Sequence, residues 1–168
     1  MVEVCAARPD DAAAIRHIHS AAFPTSAEAD LVEALGRDGD HVVSLVAHDG
    51  GTIVGHILFS RMAVRADDRL LAGLGLGPIA VIPDRQGEGI GSALIEAGLQ
   101  EAKRIGTQIV FVLGEPACYG RFGFDAATAR PFASPYAGAY FQAKMLGPPI
   151  ETPTSGGADY APAFADLS

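Results

Sequence analysis

The hydrophobic positions change period along the chain, and each change predicts an element. Val2–Ala7 is a short β-prone run that suits a first strand. Pro9-Asp10-Asp11 opens a helix, because proline fits the first turn and aspartates meet the positive end of the helix dipole. Ile15, Ile18 and Ala22 recur at i, i+3 and i+7 as one apolar face, which Phe23-Pro24 breaks. Thr25-x-x-Glu28 has capping-box spacing, Leu31 and Leu35 give the second helix its stripe, and Gly36 is its stop signal.

Two strands follow, His41–His48 and Thr52–Ser60, around an Asp49-Gly50-Gly51 hairpin signal. A polar break at Arg65–Arg69 leads to the long apolar run Leu70–Ile82, whose glycines mark a bulge or a close approach to the backbone. Pro83–Gly91 reads as a loop and Ile90–Ile105 as a helix with Ile90, Leu94, Gly98, Ala102 and Ile105 along one side. Gln108–Leu113 is short and β-branched, a central strand. Glu115-Pro116 starts a short helix through Arg121 that ends at Gly123, and Phe124 and Tyr140–Leu146 are further strand candidates. This order predicts an α+β or α/β chain with a mixed sheet. Residues 1–146 read as one domain. Residues 147–168 form a tail rich in Pro, Gly, Thr and Ser, expected as a loose arm whose Tyr160 and Phe164 can dock.

Composition narrows the function. The chain has 168 residues, 12 Lys+Arg and 20 Asp+Glu, a net charge of −8 that disfavours nucleic acid as a partner. No apolar run approaches the ~20 residues that span a membrane. Two cysteines, Cys5 and Cys118, lie far apart and are expected as reduced, buried or half-buried thiols of a cytoplasmic protein. No metal site is expected, since His17 and His19 fall on different helix faces and no cysteine cluster occurs.

The chemistry concentrates in Gly77–Ser92: an apolar strand, a glycine-rich loop and a helix start in succession. Such a unit lets main-chain amides converge on phosphate at the positive helix end. A P-loop needs lysine before Ser92, and a dinucleotide fingerprint read from Gly87 needs glycine at 92, where Ser92 stands. A structural glycine turn is the remaining alternative from this segment alone.

Gln86-x-x-Gly89-x-Gly91, preceded by Ile79-Ala80-Val81-x-Pro83, resembles motif A of the GCN5-related N-acetyltransferases. Downstream, Leu113-Gly114-x-Pro116-Ala117-x-Tyr119-x-Arg121-Phe122-Gly123-Phe124 is similar to that family's second signature in its YhbS-like form. The resemblance implies a mostly antiparallel mixed sheet flanked by helices and splayed between the fourth and fifth strands. It implies acetyl-CoA as cosubstrate and an amine of a small molecule, peptide or protein as acceptor; a homodimer is common in the family. Carried over, Ile79, Ala80 and Val81 would pair with the pantetheine arm, and the Val81 N–H would polarise the thioester carbonyl. Gln86, Gly87, Glu88, Gly89, Ile90, Gly91 and Ser92 would form the pyrophosphate loop. Tyr119 matches the acid that protonates the departing thiolate, and Arg121 is within reach of a CoA phosphate.

The base is left open by the sequence. Leu74–Gly77 and Phe111–Leu113 carry no carboxylate where many relatives have one. Glu115 is the nearest candidate in sequence. His56, alternating with Val54 and Leu58, would act through water; Glu28 and Glu33 lie on the helix that usually walls the amine pocket, and a water chain to solvent would also serve. Cys118 beside Tyr119 raises an acetyl-cysteine route, against the family norm of direct transfer. A non-catalytic acyl-CoA sensor is the alternative function, and the missing strand carboxylate is what favours it.

Overall fold

The computed structural model describes residues 1–167. Its elements are β1 (Val2–Ala6), a 3-10 turn (Pro9–Asp11), α1 (Ala12–Ala22), α2 (Ala27–Arg37), β2 (His41–Asp49), β3 (Thr52–Ala66), β4 (Arg69–Val81), α3 (Ile90–Arg104), β5 (Ile109–Leu113), α4 (Pro116–Tyr119), α5 (Ala126–Ala129), β6 (Phe132–Ala133), β7 (Phe141–Met145) and β8 (Gly156–Asp159). The strands follow the hydrogen-bonded path β1-β2-β3-β4-β5-β7, with β8 paired to β3 and β6. The sheet is mixed and mostly antiparallel. β4 and β5 run parallel, in register from Gly73↔Ile109 to Leu76↔Val112; β4 continues to Val81.

By contact, the chain forms two compact units. The first comprises Met1–Phe59, Gly77–Glu101 and the residues from Pro162. Its core holds Ile15 and Ile18 of α1, Leu31 and Leu35 of α2, Val54, Ile57 and Phe59 of β3, and Leu94 and Ile95 of α3, all buried. Gly98 of α3 lies against the Phe59 ring, which fills the space a side chain there would need. The hairpin expected at Asp49-Gly50-Gly51 is present, with Gly50 and Gly51 at φ 58° and 88°, as a primed two-residue turn requires.

Two local signals in this unit read differently in three dimensions. Ser26, not Thr25, is the N-cap of α2, and it makes no side-chain cap bond; Thr25 Oγ1 instead accepts from the Ala27 N–H at 3.3 Å. Gly36 does not end α2, which runs to Arg37. The reversal falls at Gly39 (φ 76°), where the Asp40 N–H reaches back to the Leu35 carbonyl at 2.9 Å. Gly36 stays helical because Leu35, fully buried, holds that turn against the core.

The second unit comprises Ser60–Leu76 and Ala102–Ala161. Phe111 stacks on Phe141 at 5.2 Å between ring centroids and meets Phe132 edge-on at 5.4 Å, a packing that adds to simple burial. Strand β3 runs past Ser60 to Ala66, so the polar break shrinks to a turn at Asp67-Asp68. Asp67 adopts φ 56°, and its Oδ1 accepts from the Thr154 and Ser155 N–H groups, both at 2.9 Å. That grip delivers Gly156–Asp159 to β3 as β8, in register from Ala66↔Gly156 to Ala63↔Asp159. Phe124, expected as a strand, precedes an isolated bridge between Asp125 and Ala143; Asp125 Oδ1 caps α5 through the Thr128 N–H at 2.7 Å, which turns the chain away from extended pairing. Two of the β4 glycines meet side chains: Val64 crosses Gly73, and the Tyr160 ring lies 2.6 Å from where a Gly75 Cβ would be.

Both cysteines are exposed and unpaired, which corrects the expectation of buried thiols. Cys5 sits on an outward-facing position of the edge strand β1, and Cys118 on the short α4, where no layer covers it.

Candidate active site

In the first unit, β4 ends at Val81 and the chain turns through Pro83–Arg85 into the glycine loop. The Ile82 N–H donates to the Val54 carbonyl at 3.0 Å. Alternation along the extended strand therefore aims the Val81 N–H away from β3. The Val81 carbonyl accepts from Gln86 Nε2 at 3.0 Å, so the Gln86 side chain ties the loop back to the strand end. Gly87 and Gly89 take φ 81° and 86°, and nothing lies within 4 Å of where either Cβ would project. The demand for glycine there is conformational, and the space above the loop is open. Ala93 is the first residue to close α3, its N–H on the Gly89 carbonyl at 3.1 Å. The N–H groups of Ile90, Gly91 and Ser92 are the helix's open donors.

The side chains sort by direction. Ile90 is buried and packs where Gly55 leaves room, so only its backbone faces the loop. Glu88 turns to Arg85, whose Nε donates to its carboxylate at 3.0 Å while Nη2 donates to Asp49 at 3.1 Å. The acid of the glycine stretch Gln86–Ser92 is thereby drawn into an ion pair. Asp49 is held below the usual carboxylate range by the N-terminal ammonium and Arg85. Asp30 and Glu33 on α2 are paired with Arg16 at 2.9 and 3.0 Å. Glu28 differs: its Oε1 is buried with no partner among the described residues.

In the second unit, Tyr119 closes α4 and is half-buried. Its N–H donates to the Glu115 carbonyl at 3.1 Å, and its ring meets Phe124 edge-on at 6.1 Å. The ring passes over Gly114, 2.5 Å from where a Cβ would stand, so residue 114 has to lack a side chain. Buried Gln142 donates to the Gly114 carbonyl at 3.0 Å and fixes that floor. Burial, and then the neighbouring Cys118, raise the Tyr119 pKa, which keeps the hydroxyl protonated. Glu115 is exposed. Arg121 donates to the Cys118 carbonyl at 3.4 Å and lies 5.3 Å over the Phe122 ring.

Two polar groups in the first unit stood outside the motifs. His19 and His56 are both fully buried. His19 Nε2 lies 2.8 Å from His56 Nδ1, and His56 Nε2 lies 2.8 Å from Ser44 Oγ. Burial lowers the His19 pKa to about 4; burial, with His19 adding a smaller charge effect, lowers that of His56 to about 3. The signal in sequence was faint: His19 follows Ile18 and stands four residues from Ile15, on the apolar stripe of α1.

A family model described as an acetyltransferase (GNAT) domain matches residues 3–127. The chain is 42% identical over 130 residues to the uncharacterized N-acetyltransferase YjhQ of Escherichia coli K12, covering 75% of this chain and 71% of that protein. It is 38% identical over 120 residues to the uncharacterized N-acetyltransferase YhbS of the same strain, 71% of each. Among solved structures, Escherichia coli YhbS in complex with CoA overlays with a TM-score of 0.85 at 30% identity, over 98% of this chain and 92% of that one. A GNAT family acetyltransferase of Brucella melitensis in complex with acetyl-CoA overlays at 0.79 with 35% identity, over 98% of both. The glycine loop ahead of α3 and the Tyr119 segment thus stand in a chain that belongs to the GCN5-related N-acetyltransferase (GNAT) family.

Proposed function

We propose that this protein transfers the acetyl group of acetyl-CoA to a primary amine by direct attack of the neutral amine on the thioester carbon. A C–N bond forms, the C–S bond breaks, the attacking nitrogen loses a proton and the CoA thiolate gains one. The observation that carries this reading is the loop before α3. Its positive-φ glycines, open space and unclosed N–H groups suit a pyrophosphate. Main-chain donors serve here in place of lysines, which suits a chain of net charge −8. The backbone of Ile79–Val81 pairs with the pantetheine arm, and the Val81 N–H polarises the thioester carbonyl. Tyr119, kept protonated by burial, donates to the leaving sulfur. The acceptor binds against α1 and α2, where the unpartnered Glu28 oxygen favours a cationic small molecule or peptide amine. Two exposed, unpaired cysteines suit a reducing, cytoplasmic setting.

The deciding experiment is thiol release from acetyl-CoA across amino acids, polyamines, aminoglycosides and peptide N-termini. Turnover on at least one amine is expected. Tight acetyl-CoA binding without turnover on any of them would instead mark a non-catalytic acyl-CoA sensor.

A further inference from the structure

Ser44 on β2, His56 on β3 and His19 on α1 form one unbroken hydrogen-bonded line, with both links at 2.8 Å. Its two ends differ. Ser44 is half-buried, so the line ends there at the protein surface. His19 Nδ1 is buried and has no partner among the described residues. An unpartnered buried ring nitrogen is costly unless something else meets it.

A neutral imidazole carries one ring proton, so the line has two self-consistent patterns. In one, the Ser44 hydroxyl donates to His56 Nε2, His56 Nδ1–H donates to His19 Nε2, and His19 presents Nδ1–H. In the other, His19 Nε2–H donates to His56 Nδ1, His56 Nε2–H donates to Ser44 Oγ, and His19 Nδ1 is a bare lone pair. A proton accepted at His19 Nδ1 converts the second pattern into the first and expels one proton from Ser44. Neither ring becomes a cation. That matters here, because burial depresses both rings so far that neither serves as a base alone.

The line also passes beside the acyl site. From the Ile82-to-Val54 bond, counting two residues along the antiparallel pair β3–β4 sets His56 next to Ala80, the centre of the Ile79–Val81 stretch. We propose that His19, His56 and Ser44 form a proton relay that carries the proton of the attacking amine to solvent, an inference that rests on the acetyl-transfer reading above. As the nitrogen bonds to the thioester carbon, its proton passes to His19 Nδ1. The two ring protons each move one place, and the Ser44 hydroxyl gives its proton to water. The C–S bond breaks, and the sulfur leaves with a proton from the acid. Once the amide has gone, the reverse shift takes a proton from water at Ser44 and releases one from His19 Nδ1 to water that enters the vacated site. The net change is one proton from amine to solvent. The relay supplies what β4 and β5 do not, since neither Leu74–Gly77 nor Phe111–Leu113 carries a carboxylate. His56 and Ser44 act as positioning residues, reaching the substrate only through His19.

Ser44→Val and Ser44→Thr give the test, because the two are near-isosteric and suit a strand, and only threonine keeps the hydroxyl. With an amine that the wild type acetylates, kcat should fall on the order of 10²-fold in Ser44→Val. Ser44→Thr should recover most of that loss, with acetyl-CoA Kd alike in both and a lower thermal midpoint in Ser44→Val, which leaves the buried His56 Nε2 unpartnered. His56→Gln should lower kcat without raising the amine KM, and should straighten a curved dependence of kcat on D2O fraction. Equal kcat in the valine and threonine variants, or a kcat loss that tracks acetyl-CoA affinity, overturns the relay and leaves acetyl transfer standing. Acetyl-CoA binding by a wild type that turns over no amine removes both.

Discussion

Tyr119 shows what one residue's surroundings do to its chemistry. Its ring has room because residue 114 lacks a side chain, and Gln142 fixes the Gly114 carbonyl beneath it. Burial raises its pKa above the ordinary value of 10, so it remains a proton donor at neutral pH and through the mildly alkaline range. Tyr119→Phe should therefore lower kcat by roughly 10²-fold or more while acetyl-CoA Kd changes little. The wild type should show no alkaline loss traceable to this hydroxyl below pH 10. Unchanged kcat in the phenylalanine variant would remove Tyr119 from the reaction. This residue was legible in the sequence because it stands at fixed spacing from Gly123-Phe124. His19 was not, because its meaning depends on His56, 37 positions away.

At the scale of elements, the turn from β4 into α3 is set by short-range rules. Gly87 and Gly89 adopt positive φ, Gln86 anchors the loop on Val81, and Arg85 draws the Glu88 carboxylate to itself. Gly89→Val should abolish acetyl-CoA binding, since a β-branched residue strains at φ 86° and would crowd the amides. The loop is exposed and packs little, so the variant should keep a wild-type circular dichroism spectrum and thermal midpoint within a few degrees. Retained affinity, read by calorimetry, would show that the loop holds no phosphate. Local rules failed where packing intervened. Gly36 is a helix stop by composition, yet the buried Leu35 beside it carries the helix on to Arg37. β8 is Gly-Gly-Ala-Asp, with almost no strand propensity, and forms because Asp67 holds the segment before it against β3.

For the whole molecule, the two buried histidines predict how stability depends on pH. Their folded values, about 4 and about 3, lie below the ordinary 6.5, so below pH 6.5 the unfolded chain binds more protons than the folded one. Their contribution is complete above that value and is lost as pH falls towards 4. Each unit of depression corresponds to roughly 1.4 kcal/mol. Asp30 and Asp49, lowered from 3.8, weaken the fold only below that value, so the loss between pH 6.5 and 4 belongs to the histidines and not to these aspartates. Urea midpoints should be flat from about pH 8 to 6.5 and fall steeply by about pH 4.5. A midpoint level across that range would show that the pair is solvated or already charged in the folded state. The distribution of charge also differs from what composition suggests. Of the 20 acidic residues, Asp30, Glu33, Asp49 and Glu88 are already held by Arg16 and Arg85.

The sequence by itself determined the features that act over a few residues. These are the hairpin glycines, the helical stripes, the glycine loop at the start of α3 and the tyrosine ahead of Gly123-Phe124, because backbone conformation and side-chain period are local quantities. The family followed from two of them. Only the tertiary structure decided what distant residues do to one another. It carried a glycine-rich stretch into the sheet as β8, laid Tyr160 across Gly75, and left both cysteines at the surface. It also brought Ser44, His56 and His19 from three elements into one line, which depends on how helix and strands pack and is written in no short stretch of the chain.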